Sequence, residues 1–166
     1  MVPEDVDNLL KILSDPVAMK HYPQVYDRES TQQLWMQRNF DRYARDGHGF
    51  FMCELKSTGE FVGQCGLLTQ GIDGVNELEV GYLFVRAHWG QGYATEAARA
   101  CRDHGFRTYP VSHIISIIDP KNTPSIRVAQ RNGMTLWKDA MFKGFMDHIF
   151  RITREEWEAV YEGDPA

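Results

Sequence analysis

Apolar residues along this chain follow two kinds of pattern. From Val2 to Leu13 they recur at helical spacing, with Val6, Leu9, Leu10 and Leu13 on one stripe and Pro3 near the start. Pro16 and Pro23 then bracket a short irregular piece that contains His21 and Tyr22. Ser30 or Thr31 is expected to cap a second helix that runs to about Arg45. Its inner stripe is Met36, Phe40, Tyr43 and Ala44, and Gly47 and Gly49 end it. Strand-like runs take over next. Phe50 to Lys56 and Phe61 to Thr69 are predicted strands around the turn Ser57 to Glu60, and Glu77 to Val85 is a third. A helix follows to about Thr108, ahead of Pro110. Its stripe of Ala94, Ala97, Ala98, Cys101 and Gly105 is small enough to lie close on a sheet. His113 to Ile118 is a short strand, buried on both faces. Thr123 is expected to cap the next helix, with Pro124 at its first position and Gly133 stopping it. Met134 to Phe142 and Phe145 to Ile152 form a last predicted hairpin around Lys143-Gly144. Thr153-Arg-Glu-Glu156 then reads as a capping box, opening a terminal helix that carries Trp157 and Val160.

The junction from Arg86 to Ala98 is the most informative stretch. A strand feeds a glycine turn, and the turn feeds a helix. The first backbone N–H groups of such a helix have no intrahelical partner, and the helix dipole adds positive potential there. Gly90 and Gly92 let a ligand approach the backbone closely. Together with Gln91, Tyr93, Ala94 and Thr95 they form a phosphate cradle that needs no charged side chain. The spacing Gly90-x-Gly92-x-x-Thr95 also suggests a dinucleotide fingerprint, with Asp119 as its acidic partner. That reading is weaker. Thr95 replaces the third glycine, and the preceding segments form a hairpin rather than βαβ units.

Length and composition narrow the field. A chain of 166 residues fits one domain with a proper core. At 43% hydrophobic and 25% charged residues it has an ordinary globular balance. A net charge of −5 disfavours nucleic acid and is compatible with a cationic amine. No apolar run approaches the ~20 residues of a membrane span, and no signal peptide precedes the first helix. Cys53, Cys65 and Cys101 lack CxxC spacing, which fits free thiols in the cytoplasm. A Cys53–Cys65 disulfide across the hairpin is the less favoured alternative. The six histidines show no metal-ligand spacing, so no metal is expected.

The longer string Trp89-Gly-Gln-Gly-Tyr-Ala-Thr-Glu-Ala97 resembles the acetyl-CoA pyrophosphate loop of the GNAT (GCN5-related) N-acetyltransferases. The family pattern is Gln/Arg-x-x-Gly-x-Gly/Ala, with Gly92 and Ala94 at its last two positions. Trp89 at the first departs from it and is similar to the ribosomal-protein N-terminal acetyltransferase branch (RimJ/RimL-type). Asn122-Thr-Pro-Ser-Ile-Arg-Val-Ala-Gln-Arg-Asn-Gly-Met134 resembles that branch's Asn-x-x-Ser…Gly-Phe block. The likeness runs from roughly Asp5 to the end.

The resemblance implies an α/β acyl-CoA N-acyltransferase fold: a mixed, mostly antiparallel sheet with splayed central strands, flanked by helices. The family opens with a strand before the first helix. This chain begins almost inside that helix, so its start is truncated or its sheet one strand short. The resemblance also implies that pantetheine bonds to backbone near Phe84 and Val85, and that a backbone N–H there polarises the acetyl carbonyl. Glu79 is the candidate general base. It shares a strand face with Glu77, Gly81, Leu83 and Val85, beside apolar neighbours that should raise its pKa. Many family members use a tyrosine as general acid where Ala129 stands here. Ser125 is the substitute, and it and Asn122 are expected to contact the cofactor. The amine acceptor, a protein N-terminus or a small molecule, is expected between the His21-Tyr22-Pro23 segment and the final hairpin, lined by Tyr22, Phe142 and Asp147. Two other readings remain: a non-catalytic acyl-CoA-binding module and a nucleotide-binding regulatory domain. The acceptor and the oligomeric state, monomer or homodimer, stay open.

Overall fold

A computed structural model describes residues 1–161, with side chains through residue 159. Six strands form one sheet in the order β1-β2-β3-β4-β6-β5. They are β1 (Phe50–Glu54), β2 (Phe61–Ile72), β3 (Val75–Phe84), β4 (His113–Ile118), β5 (Thr135–Phe142) and β6 (Phe145–Thr153). Every neighbouring pair is antiparallel except β3 and β4. This is the mixed, mostly antiparallel sheet expected from the sequence. β1 forms one edge, and among the described residues no strand precedes the first helix.

Helices cover both faces. On one face lie α1 (Val6–Leu13), α2 (Arg28–Ser30) and α3 (Gln37–Asp46), the last two joined through a π-helical turn at Thr31–Met36. Leu9, Ile12, Leu13, Met19 and Met36 pack there against Phe50, Leu68 and Leu83 of the sheet. On the other face are α4 (Tyr93–Thr108), α5 (Thr123–Arg131) and α6 (Arg154–Tyr161). Ala98, Phe106, Ala129 and Trp157 pack there against Leu67, Val80 and Ile114. The small stripe of α4 does what its composition suggests. A side chain at Gly105 would sit 2.8 Å from Ile114 Cδ1, so the helix rides directly on β4.

Several local expectations are corrected. Asp27, rather than Ser30 or Thr31, caps the second helix: its carboxylate accepts the Ser30 N–H at 2.8 Å, while the Asp27 N–H donates to Ser30 Oγ. Asn122 caps α5 in place of Thr123, because its Oδ1 reaches the Ser125 N–H. Ile12, not Leu10, completes the α1 stripe, and Ala44 faces solvent while Asn39 is fully buried. β2 and β3 run longer than predicted. They close through the two-residue turn Asp73-Gly74, both at positive φ, where Asp-Gly matches the twist of a tight hairpin. Cys53 pairs with Gly63 rather than facing Cys65. Cys65 instead approaches Cys101, Sγ to Sγ 3.5 Å, and all three are free thiols. Thr153 and Glu156 form the expected capping box. Trp157 is buried and stacked on Phe106, while the side chain of Val160 lies outside the described residues.

Asn39 ties the helical layer to the sheet. Its amide accepts the Phe50 N–H at 2.7 Å and donates to the Phe50 carbonyl at 3.1 Å, imitating a neighbouring strand at the start of β1. Replacing Asn39 with Ala orphans that buried N–H, while Tyr43 still serves the carbonyl. Urea denaturation of Asn39→Ala should show a loss of about 1–3 kcal/mol. An unchanged midpoint would mean that the bond carries no stability.

Candidate active site

The parallel neighbours β3 and β4 meet at a single paired position, Glu79 opposite Ile115. Beyond it the ladder stops and side chains bridge the separation. Ser116 Oγ donates to the Val80 carbonyl at 2.8 Å, and the Ile117 N–H donates to Glu79 Oε1 at 3.4 Å. The Val85 N–H bonds Val62 O at 2.9 Å, which fixes the antiparallel alternation. The backbone groups of Tyr82 and Phe84 therefore turn away from β2, toward the gap. This corrects one expected cofactor contact. Val85 is occupied on both sides, because its carbonyl also accepts from the His88 N–H. The Phe84 carbonyl is taken by Trp89 Nε1 at 2.8 Å, which leaves the Phe84 N–H facing the gap.

A cavity of about 750 Å³ opens at this separation. Tyr22, Glu79, Asn122, Ser125, Phe142 and Asp147 all line it, so the fold gathers the candidate base, acid and acceptor residues at one place. Glu79 and Gly81 enter from the face of β3 that carries α3, and Tyr82 from the other. Glu79 is 8% exposed, and its Oε2 accepts from Gln70 Nε2 at 2.8 Å. Burial raises its pKa, as expected, against the lowering pull of the Gln70 and Ile117 hydrogen bonds. Asp147 is also held above the ordinary carboxylate range, first by burial and then by the charge of Asp119. Desolvation raises the Tyr22 phenol, with Glu79 and Asp147 adding to it, although about a third of the whole residue stays accessible. Tyr22 therefore remains a protonated donor at neutral pH.

The first turn of α5 forms one wall. Asn122 spends its side-chain oxygen on the Ser125 N–H, and the Ser125 carbonyl accepts from the Tyr82 hydroxyl at 2.9 Å. Among the described residues no group bonds the Ser125 hydroxyl. Ala129, where the family tyrosine would stand, is buried in the core and offers nothing to the cavity. Asp119 is tied to His21 Nδ1 at 2.8 Å and to the Lys121 N–H, so the dinucleotide reading loses its acidic partner.

The glycine loop lies outside that cavity. A 3-10 turn, Arg86–His88, leads from β3 to Gly90 and Gly92, at φ of 78° and 88°. Gly92 is the N-cap of α4 and supplies no side-chain bond, so the N–H groups of Tyr93, Ala94 and Thr95 begin the helix uncapped. A Cβ at Gly90 or Gly92 would meet nothing within 4 Å, so the space over this backbone is open. The loop thus has the shape and polarity that a pyrophosphate requires. Among the described residues no group of three His, Cys, Asp or Glu side chains could hold a metal ion, and no helix is long and apolar enough to cross a membrane.

Sequence reasoning missed Gln70, Tyr82, Arg42 and Lys143, all of which line the cavity. Tyr82 was open to discovery, since alternation along β3 puts it on the face opposite Glu79. Arg42 and Lys143 were not, because they meet only when α3 and the β5–β6 turn are brought together.

The Acetyltransferase (GNAT) domain family model matches residues 1–135. The uncharacterized protein YkkB of Bacillus subtilis is 44% identical over 125 residues, which is 74% of this chain and 71% of that one. The aminoglycoside acetyltransferase AAC(6')-Ib, solved with coenzyme A, superposes with a TM-score of 0.82 over 97% of this chain and 96% of its own, at 17% identity. The ribosomal-protein α-N-acetyltransferase RimL, also solved with coenzyme A, gives a TM-score of 0.73 over 92% and 90%, at 20% identity. At those identities the two structures speak for the fold. With a cradle shaped for pyrophosphate, strands parted beside it and a family match across most of its length, this chain belongs to the GNAT family of acetyl-CoA-dependent acetyltransferases.

Proposed function

We propose that this protein, acting as a single domain, transfers the acetyl group of acetyl-CoA directly to a primary amine at the Glu79 cavity. The observation that carries the reading is a buried carboxylate of raised pKa at the point where β3 and β4 part. The amine lone pair attacks the thioester carbonyl; the C–N bond forms, the C–S bond breaks, the amine loses a proton and the thiolate gains one. Glu79 takes the amine proton, directly or through water. The Ser125 hydroxyl, which no group among the described residues bonds, donates toward the departing sulfur. The Phe84 N–H polarises the carbonyl. Gly90 to Thr95 hold the pyrophosphate with backbone N–H groups, and Asn122 positions the α5 turn against the pantetheine. Tyr22, Phe142 and Asp147 line the acceptor side.

Calorimetric titration is the direct test of the cofactor. Acetyl-CoA should bind with a Kd on the order of micromolar, and NAD should not bind at all. Binding without acetylation of any amine would leave a non-catalytic acyl-CoA module. Gly92→Val places a side chain in the open space above the loop, at a φ that β-branched residues avoid. It should cost at least about tenfold in acetyl-CoA affinity while the chain still melts cooperatively; undiminished affinity would remove the cradle.

Glu79→Gln should lower turnover by about 10²-fold or more and flatten its rise with pH, leaving acetyl-CoA affinity intact. The same variant tests the cause of the pKa shift. A raised folded-state pKa favours the neutral form, so its stabilisation is complete below the unfolded value, roughly 4.3. It is lost as pH rises through the folded value. The melting temperature of Glu79→Gln should therefore gain on that of the native chain as pH rises through that window. A pH-independent difference would mean that burial does not penalise the ionised form.

A further inference from the structure

The cavity has a charge pattern that a simple amine does not need. The chain carries a net charge of −5, yet its large cavity is lined by five cations, Lys20, Arg38, Arg42, Lys121 and Lys143, against three carboxylates, Glu79, Asp119 and Asp147. Asp119 is committed to His21. Arg38 and Arg42 stand one helical turn apart on α3, a like-charge spacing that disfavours the helix. Lys143 approaches them from the turn between β5 and β6, and its ammonium lies 4.8 Å from the Phe142 ring centre. No salt bridge joins any of these three to a carboxylate among the described residues. Arg38 and Lys143 keep access to solvent and Arg42 is half-buried. Partial desolvation, together with the charge of their cationic neighbours, lowers the pKa of both Arg42 and Lys143, and Glu79 alone among the cavity carboxylates pulls the other way. Like charges gathered with no salt bridge to any of them leave room for an anion from outside, and paired guanidinium groups suit an oxyacid.

We propose that the acceptor is a small amine that also carries an anionic oxyacid group, carboxylate or phosphate, with that group held by Arg38, Arg42 and Lys143 while its nitrogen lies toward Glu79 and Asp147. This rests on the acetyltransferase reading above and narrows it. Polyamines and aminoglycosides, which bring only positive charge, face repulsion from the same wall. Tyr22, Tyr26, Trp35 and Phe142 give the cavity aromatic surface for an apolar body between the two ends. The reaction is unchanged: the amine of the zwitterion gains the acetyl group, and free coenzyme A leaves with the thiol proton.

The test compares phenylalanine, phenylalaninamide, phosphoethanolamine and spermidine on the full chain. Thiol release reads turnover, and calorimetry on the coenzyme A complex reads binding separately. Phenylalanine or phosphoethanolamine should exceed phenylalaninamide and spermidine by at least about tenfold in kcat/KM, a discrimination of about 1.4 kcal/mol. Whichever of the two acids wins identifies the anion as carboxylate or phosphate. Arg42→Gln should raise KM for that acid by about tenfold or more with acetyl-CoA affinity unchanged, and Arg42→Lys should recover part of the loss. Equal use of phenylalanine and its amide, a preference for spermidine, or indifference to Arg42→Gln would overturn the proposal while leaving the acetyltransferase reading standing. Selective binding of the acids with no thiol release from any amine would support the anion site and sink the catalytic reading instead. Neither binding nor turnover of any probe would overturn the proposal.

Discussion

β3 and β4 run side by side yet share one paired position, and the groups bordering their separation replace the missing ladder with side-chain bonds. Ser116 covers the Val80 carbonyl, and the Glu79 carboxylate covers the Ile117 N–H. Without these substitutes, opening a sheet at its centre would strand buried backbone groups, each costing about 1–3 kcal/mol. With them, the gap is a stable part of the fold. The cavity and the gap-facing N–H of Phe84 both follow from it.

Glu79 illustrates how one residue serves both purposes. Its carboxylate closes the backbone account at the gap and is held in place by Gln70. The same burial that makes those bonds necessary disfavours its charge, which brings its proton affinity nearer to that of an amine-activating base. Structural support and chemical poise here have one physical origin. At Ser125 they are divided: its backbone is bound on both sides, by Asn122 and Tyr82, and its hydroxyl is left over.

Much of this was legible in the sequence, for identifiable reasons. The glycine loop was readable because its conformation depends on residue types that tolerate positive φ, and both Gly90 and Gly92 adopt it. The last hairpin and the capping box were equally local, set by Lys143-Gly144 and by Thr153 with Glu156. Helix caps failed where two polar residues competed: Asp27 and Asn122 won because their side chains reach the third N–H along, which nearest-neighbour patterning does not weigh. Buried polar positions were the least readable. Asn39 and Arg102 look like surface residues in a string of letters. One is held inside by the first residue of β1, the other by Asn132 and Asp103. The cationic wall belongs to this class, being assembled from elements about a hundred residues apart in sequence.

Trp89 joins the glycine loop to the end of β3 by a hydrogen bond to the Phe84 carbonyl. The interval between the glycine loop and the open strand gap is thereby fixed by one rigid indole ring bonded to backbone. A thioester anchored at one end of that interval is measured by it. An arm of the right span brings its carbonyl to the gap, whereas a shorter or longer one stops out of register, whatever its affinity for the loop. On the proposed reading the protein is a ruler as well as a pocket, and gauges its acyl donor by the span of the arm.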